Sequence, residues 1–181
     1  ITASQWAPLH LALEEALVSR SGFFTFFHDY MRQAVESRYI RSSQLTYRKA
    51  IIEYFTKINS ADDKRVYEEV PYQLEQLQDW RGLAAFITEL KNFDKLSRGD
   101  SKFDLYRYWR AVSKQGGQDP ESMIFNKIQT LAKETPEEGR ATIMDYQALV
   151  GKFLEDIGTY EMSETLYRQI QNRCKRVPAL T

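Results

Sequence analysis

From Lys64 onward the chain alternates amphipathic stretches with residues that break helices, and this alternation limits what it can fold into. Residues 64–78, 80–92, 102–114, 120–134, 136–157 and 161–176 place their apolar side chains three and four apart, the spacing of one helix face. Between these stretches lie Asp79, Ser97-Arg98-Gly99-Asp100, Gln115-Gly116-Gly117, Thr135-Pro136 and Gly158-Thr159. Asp119-Pro120-Glu121 and Thr135-Pro136-Glu137 each set a capping residue before a proline at the first helical position, where its missing N–H costs nothing. Pro71 falls within a helical pattern and predicts either a kink at Val70 or a fresh helix starting there. Serial helices with one apolar face each must bury those faces against one another, so the fold class is mainly α.

The first third reads differently. Ser4 precedes an apolar pattern at Trp6, Leu9, Leu13, Ala16 and Leu17 that predicts a capped helix. Leu17-Val18-Ser19-Arg20 and Phe23 to Phe27, separated by Ser21-Gly22, predict two short strands around a tight turn, the one sheet expected in the chain. A helix opens at Asp29, lapses near Arg41-Ser42-Ser43, and gives way to another carrying Leu45, Tyr47, Ala50, Ile51, Tyr54, Phe55 and Ile58 on one face. The polar run Asn59-Ser60-Ala61-Asp62-Asp63 is the expected boundary, which divides the chain into 1–58 and 59–181.

Several kinds of chemistry are excluded by what the chain lacks. Lys plus Arg equals Asp plus Glu at 25 each, so no net field draws it to nucleic acid or an anionic membrane. No apolar run is long enough to span a bilayer. One cysteine, Cys174, and two histidines, His10 and His28, are too few for a zinc site, and the lone thiol favours a reducing, cytoplasmic setting. No phosphate-binding loop, dinucleotide fingerprint or nucleophile elbow occurs, so no catalytic residue, metal or cofactor is expected in this chain. His28-Asp29 lacks the further histidines a metal-dependent phosphohydrolase requires, and the adjacent acids such as Glu14-Glu15 and Glu68-Glu69 point about 100° apart on a helix. Tyr106, Tyr108, Trp109 and Arg110 form a dense aromatic and basic group, a candidate partner-binding patch, although the helical spacing of Tyr106 and Trp109 suits an inter-helix core better.

Residues Met144 to Val177 resemble the tetratricopeptide pattern, with its period of about 34 residues. Gly151 stands at the small position of the first helix, Gly158 ends that helix, Tyr160 follows the turn and Tyr167 fills the large position of the second helix. Ser163 and Ile170 stand where the family usually has alanine, and Lys175 where it often has proline, so the repeat is degenerate.

The N-terminal stretch from Trp6-Ala7-Pro8-Leu9 through Ser21-Gly22 to Phe27-His28-Asp29-Tyr30-Met31 resembles the end of the winged-helix domain of STAND-class signalling ATPases, the NACHT and NB-ARC proteins. Tyr54-Phe55, Glu69-Val70-Pro71-Tyr72-Gln73-Leu74 and Asp79-Trp80 are similar to the helical region of nephrocystin-3-like members with tetratricopeptide arrays. The resemblance implies a partial winged helix with a short β-hairpin, followed by a tetratricopeptide-like array. It also implies a piece of a larger switch protein that relays nucleotide state to a protein partner or to its own ATPase core, and that oligomerises on activation. Phe27-His28-Asp29 matches the family's Met-His-Asp signature at its last two positions, which makes His28 the implied sensor of ADP or ATP in the intact parent and Asp29 its orienting or capping neighbour. The competing expectation is a nucleic-acid-binding winged helix, with Arg32, Arg38, Arg41, Arg48, Lys49 and Lys57 as its basic residues. Against it, the helix expected around 6–16 carries Glu14 and Glu15 and neither Lys nor Arg.

Overall fold

A computed structural model describes residues 2–20, 23–40, 43–57, 64–134 and 140–175. The chain divides into two compact units, Ile1–Lys49 and Ala50–Thr181. The boundary expected at Asn59 to Asp63 lies outside the described residues, as does the expected helix start at Thr135-Pro136-Glu137.

The first unit opens with α1 (Ala3–Leu13). Thr2, rather than Ser4, caps it. The Thr2 hydroxyl accepts from the Gln5 N–H at 3.3 Å while the Gln5 side chain accepts from the Thr2 N–H at 3.0 Å, so two orphan donors are satisfied reciprocally. A single tight turn over Glu14–Ala16 leads into β1 (Leu17–Arg20), which pairs antiparallel with β2 (Phe23–Phe26), Leu17 opposite Phe26 and Ser19 opposite Phe24. Next come α2 (Asp29–Val35) and one wide π-type turn over Glu36–Ile40. Among the described residues of this unit no side chain is buried, and Leu11, Phe27 and Tyr30 stay more than 60% exposed.

α3 (Gln44–Lys57) contributes its residues from Ala50 onward to the second unit. There follow α4 (Lys64–Gln76), α5 (Trp80–Ile87), α6 (Leu90–Leu96), α7 (Ser101–Lys114), α8 (Pro120–Glu134), α9 (Arg140–Asp156) and α10 (Tyr160–Lys175). α4 runs through Pro71 as one helix; the ring is buried beside Val70 and Leu74, and no new helix starts there. The stretch 80–92, expected as one helix, is two. Thr88 turns its hydroxyl back onto the Ala84 carbonyl at 2.7 Å, Glu89 is extended, and the Asn92 amide donates to the Phe86 carbonyl at 3.0 Å, capping α5 from beyond its end. α8 begins at Pro120 as expected, with the Asp119 carboxylate accepting from the Ser122 N–H at 3.0 Å.

The core of the second unit is aromatic at its centre. Phe153 of α9 lies edge-on to Trp109 of α7 at 4.8 Å and to Phe93 of α6 at 5.1 Å, and stacks on Tyr106 of α7 at 5.0 Å. The buried Trp109 indole N–H donates to the Glu121 carboxylate of α8 at 2.8 Å, so a polar group that would otherwise be stranded ties in a fourth helix.

The α9–α10 pair has the packing expected of its repeat. A Cβ on Gly151 would lie 3.1 Å from the Tyr167 ring, so glycine lets the two helices approach. Ser163, in place of alanine, is buried and donates to the Gly151 carbonyl at 2.8 Å. Gly158, at φ +89°, ends α9, and the Thr159 N–H reaches back to the Leu154 carbonyl at 2.8 Å. The turn from α4 to α5 has the same form: Gln78 sits at φ +54° and the Asp79 N–H donates to the Leu74 carbonyl at 3.0 Å.

Where α7 ends, a Cβ on Gly116 would overlap the Cβ of Trp80 and the Val112 carbonyl. Neither can move without shifting a helix. Gly116→Ala is therefore expected to lower stability by about 1–3 kcal/mol, seen as a lower urea midpoint at constant slope; an unchanged midpoint would show that the two helices do not meet this closely.

Candidate functional site

The residues singled out from sequence fall in three settings. Tyr108 and Trp109 are 3% exposed and belong to the core, Tyr106 is half-buried against Phe153, and Arg110 is exposed, so the four do not present one surface. This corrects the expected patch, and the cause is periodicity: successive helix residues point about 100° apart, and the apolar face takes the larger rings. Tyr106 and Lys102 instead act with α9. The Asp156 carboxylate accepts from Lys102 at 3.0 Å, Tyr106 at 3.0 Å and Lys152 at 3.0 Å. Those donors, Lys152 foremost, hold its acidity at about 2, well below the usual carboxylate range.

His28 sits at the position before α2 without capping it by its side chain. Its exposed ring packs edge-on to Phe27 at 4.5 Å and stacks on Tyr30 at 5.1 Å. Asp29 does not orient it: the carboxylate accepts from Arg32 at 2.8 Å and from the Gln33 amide, which lower its pKa. Among the described residues no three His, Cys, Asp or Glu side chains gather as a metal set, and no helix is long and apolar enough to cross a membrane.

One concave feature of the second unit is a trough that sequence reasoning did not locate. One end, about 420 Å³, has Phe55, Val66, Tyr67, Phe86 and Tyr146 for its apolar surface and Lys91 and Lys95 beside them. The other end, about 460 Å³, is lined by Arg98, Thr142, Asp145 and Leu149. Asp94 and Tyr146 line both, so the two ends adjoin. Helices α3, α4, α5, α6 and α9 all contribute. The charges are not all available: the Arg98 guanidinium donates to Asp94 at 2.6 Å. Burial, with Asp94 and Glu89 nearby, pushes the Tyr146 phenol up; as a phenol it can donate a hydrogen bond. The one local signal was the aromatic content of the α3 and α4 faces. That these rings would remain half-buried follows from packing, which no single helix pattern reveals.

Serial packed helices, with α9 and α10 seated against each other as a pair, fit a tetratricopeptide-like helical array. In keeping with that fold, the chain is 26% identical over 98% of its length to a TPR repeat-containing protein of Dictyostelium discoideum. The match spans 11% of that relative's length. No family model matches the chain, and no solved structure does.

The Asp156 cluster sets a dependence on acid. A carboxylate held below its ordinary 3.8 contributes stability that is complete above that value and is lost as pH falls toward about 2. The gap in thermal midpoint between the wild-type chain and Asp156→Asn is expected to be widest near pH 6 and to narrow steadily as pH falls from about 4 toward 2. A gap independent of pH would remove Asp156 as its source.

Proposed function

We propose that this chain is a protein-interaction module that holds a segment of a partner polypeptide in the trough between α3, α4, α6 and α9. The two adjoining hollows, lined by half-buried aromatics and edged by charge, carry this reading. Rings in such a place have already lost their rotamer freedom to packing, yet keep apolar surface that an incoming side chain can cover. The Dictyostelium relative, a TPR repeat-containing protein, supports the same role. Catalysis is the weaker reading because the trough gathers no nucleophile beside a base and no metal set among the described residues.

The test is selection of a displayed random-peptide library on the 181-residue chain. Tyr146→Arg, which fills the junction of the two ends, is expected to weaken the selected peptides at least about tenfold, the loss typical of blocking a buried anchor. Tyr160→Arg, on a ring that is 67% exposed and outside the trough lining, is expected to leave them unchanged. Equal loss in both variants, or none in either, would place binding elsewhere.

A second reading concerns His28. The resemblance to STAND ATPases makes it a contact to the phosphates of ADP, in a parent that relays nucleotide state through the helical array. Its exposed ring makes no hydrogen bond to any described residue, so both ring nitrogens are available to such a ligand. His28→Ala is expected to lower ADP retention by the intact protein about tenfold or more, the worth of one hydrogen bond to a charged group. Unchanged retention would end the sensor role.

A further inference from the structure

The unpaired charges of the trough give it a direction. Asp94 and Arg98 are spent on each other at 2.6 Å. Glu89 is drawn away by Lys127 of α8 at 3.1 Å. Lys95 is engaged within the chain. What remains is one exposed cation, Lys91, at the end built from Phe55, Val66 and Phe86, and one exposed anion, Asp145, at the end built from Thr142 and Leu149. Neither makes an ion pair among the described residues. Between them lies the aromatic junction at Tyr146. An occupant that seated only an apolar side chain would leave both charges unanswered, and one of uniform charge would satisfy one end and oppose the other.

We infer, resting on the proposed trough reading, that the partner segment is an extended polypeptide stretch of fixed polarity. A large apolar side chain sits at the Tyr146 junction, a carboxylate faces Lys91, and a Lys or Arg faces Asp145. The two charge contacts select the segment and set which way it runs, and the apolar anchor supplies most of the affinity.

The same displayed random library, selected in parallel on wild type, Lys91→Glu, Asp145→Lys and the double variant, tests this. Both side chains are exposed and unpaired, so the variants are expected to keep the wild-type helical circular dichroism and thermal midpoint. Wild-type selection is expected to enrich an acidic residue on one side of a large apolar one and a basic residue on the other. Lys91→Glu is expected to change only the first preference, Asp145→Lys only the second, and the double variant to invert both, with wild-type-selected peptides losing about tenfold or more in affinity at low salt and less at high salt. Enriched peptides that Tyr146→Arg still abolishes, but whose charges ignore the swaps, would overturn the polarity while leaving the trough as the binding place. Peptides indifferent to Tyr146→Arg would overturn both.

Discussion

Phe153 is the contact on which the second unit depends, because its ring joins α9 to both α6 and α7. Phe93 and Trp109 meet it edge-on and Tyr106 lies flat against it. Aromatic pairs of this kind contribute roughly 0.5–1.5 kcal/mol each beyond the area they bury, and they fix angles as well as distances. With Trp109 further tethered to Glu121, α7 becomes the helix that every neighbour reads. Its outer side chains then reach the ends of two others: Arg107 pairs with Glu75 at the close of α4, while Lys102 and Tyr106 hold Asp156 at the close of α9. The trough wall between α6 and α9 is a consequence, since both helices are seated through Phe93 and Phe153 before any charge at the rim matters.

The two turns that α7 reaches are built alike. In each, a residue with positive φ follows the last helical turn, and the next N–H returns to a carbonyl five residues back. At the second turn the residue is Gly158, for which that backbone is free of penalty. At the first it is Gln78, which adopts the same conformation at a cost of order 1 kcal/mol. This explains why the tetratricopeptide signature is legible at 144–177 and faint earlier: the geometry recurs where the marker glycine does not. Ser163 makes the complementary point within the legible repeat. It breaks the family's preference for alanine, yet its hydroxyl finds the carbonyl that glycine exposes at Gly151.

Helix identity, the hairpin and its register-bearing residues were legible because period and turn chemistry are local. Leu17 opposite Phe26 follows from two strands flanking Ser21-Gly22, and α8 starts where Asp119-Pro120 says it must. What was not legible depended on contacts between elements. Thr88 and Asn92 split one apolar pattern into α5 and α6 by side-chain bonds that hydrophobic spacing cannot register. The spacing of Tyr106 and Trp109 favoured core over surface, but which of the four side chains stayed exposed waited on α6 and α9 being in place around them. The trough rings were unreadable for the same reason, since half-burial is a property of the assembled helices. His28-Asp29 was visible as a pair, but the pairing was sequential only: one ring stacks on Tyr30 while the neighbouring carboxylate turns to Arg32 and Gln33.

One buried polar group shows what the packing gives up for definition. Gln147 of α9 is fully buried and donates to Gln169 of α10 at 2.7 Å, while Gln169 and Gln129 of α8 exchange hydrogen bonds at 3.1 Å. The Gln147 carbonyl oxygen has no partner. Turning all three amides over preserves the bonds among them and strands the Gln147 NH₂ instead, so no arrangement satisfies every atom. An unpaired buried polar atom costs about 1–3 kcal/mol, and an apolar residue of like volume would avoid it. An apolar side chain, however, can slide along a neighbouring helix with little penalty, whereas three amides bond in only one axial setting of α8, α9 and α10. The stability forgone at Gln147 thus fixes the register of α8, α9 and α10, and with it the position of Tyr146 and Asp145 one and two residues before.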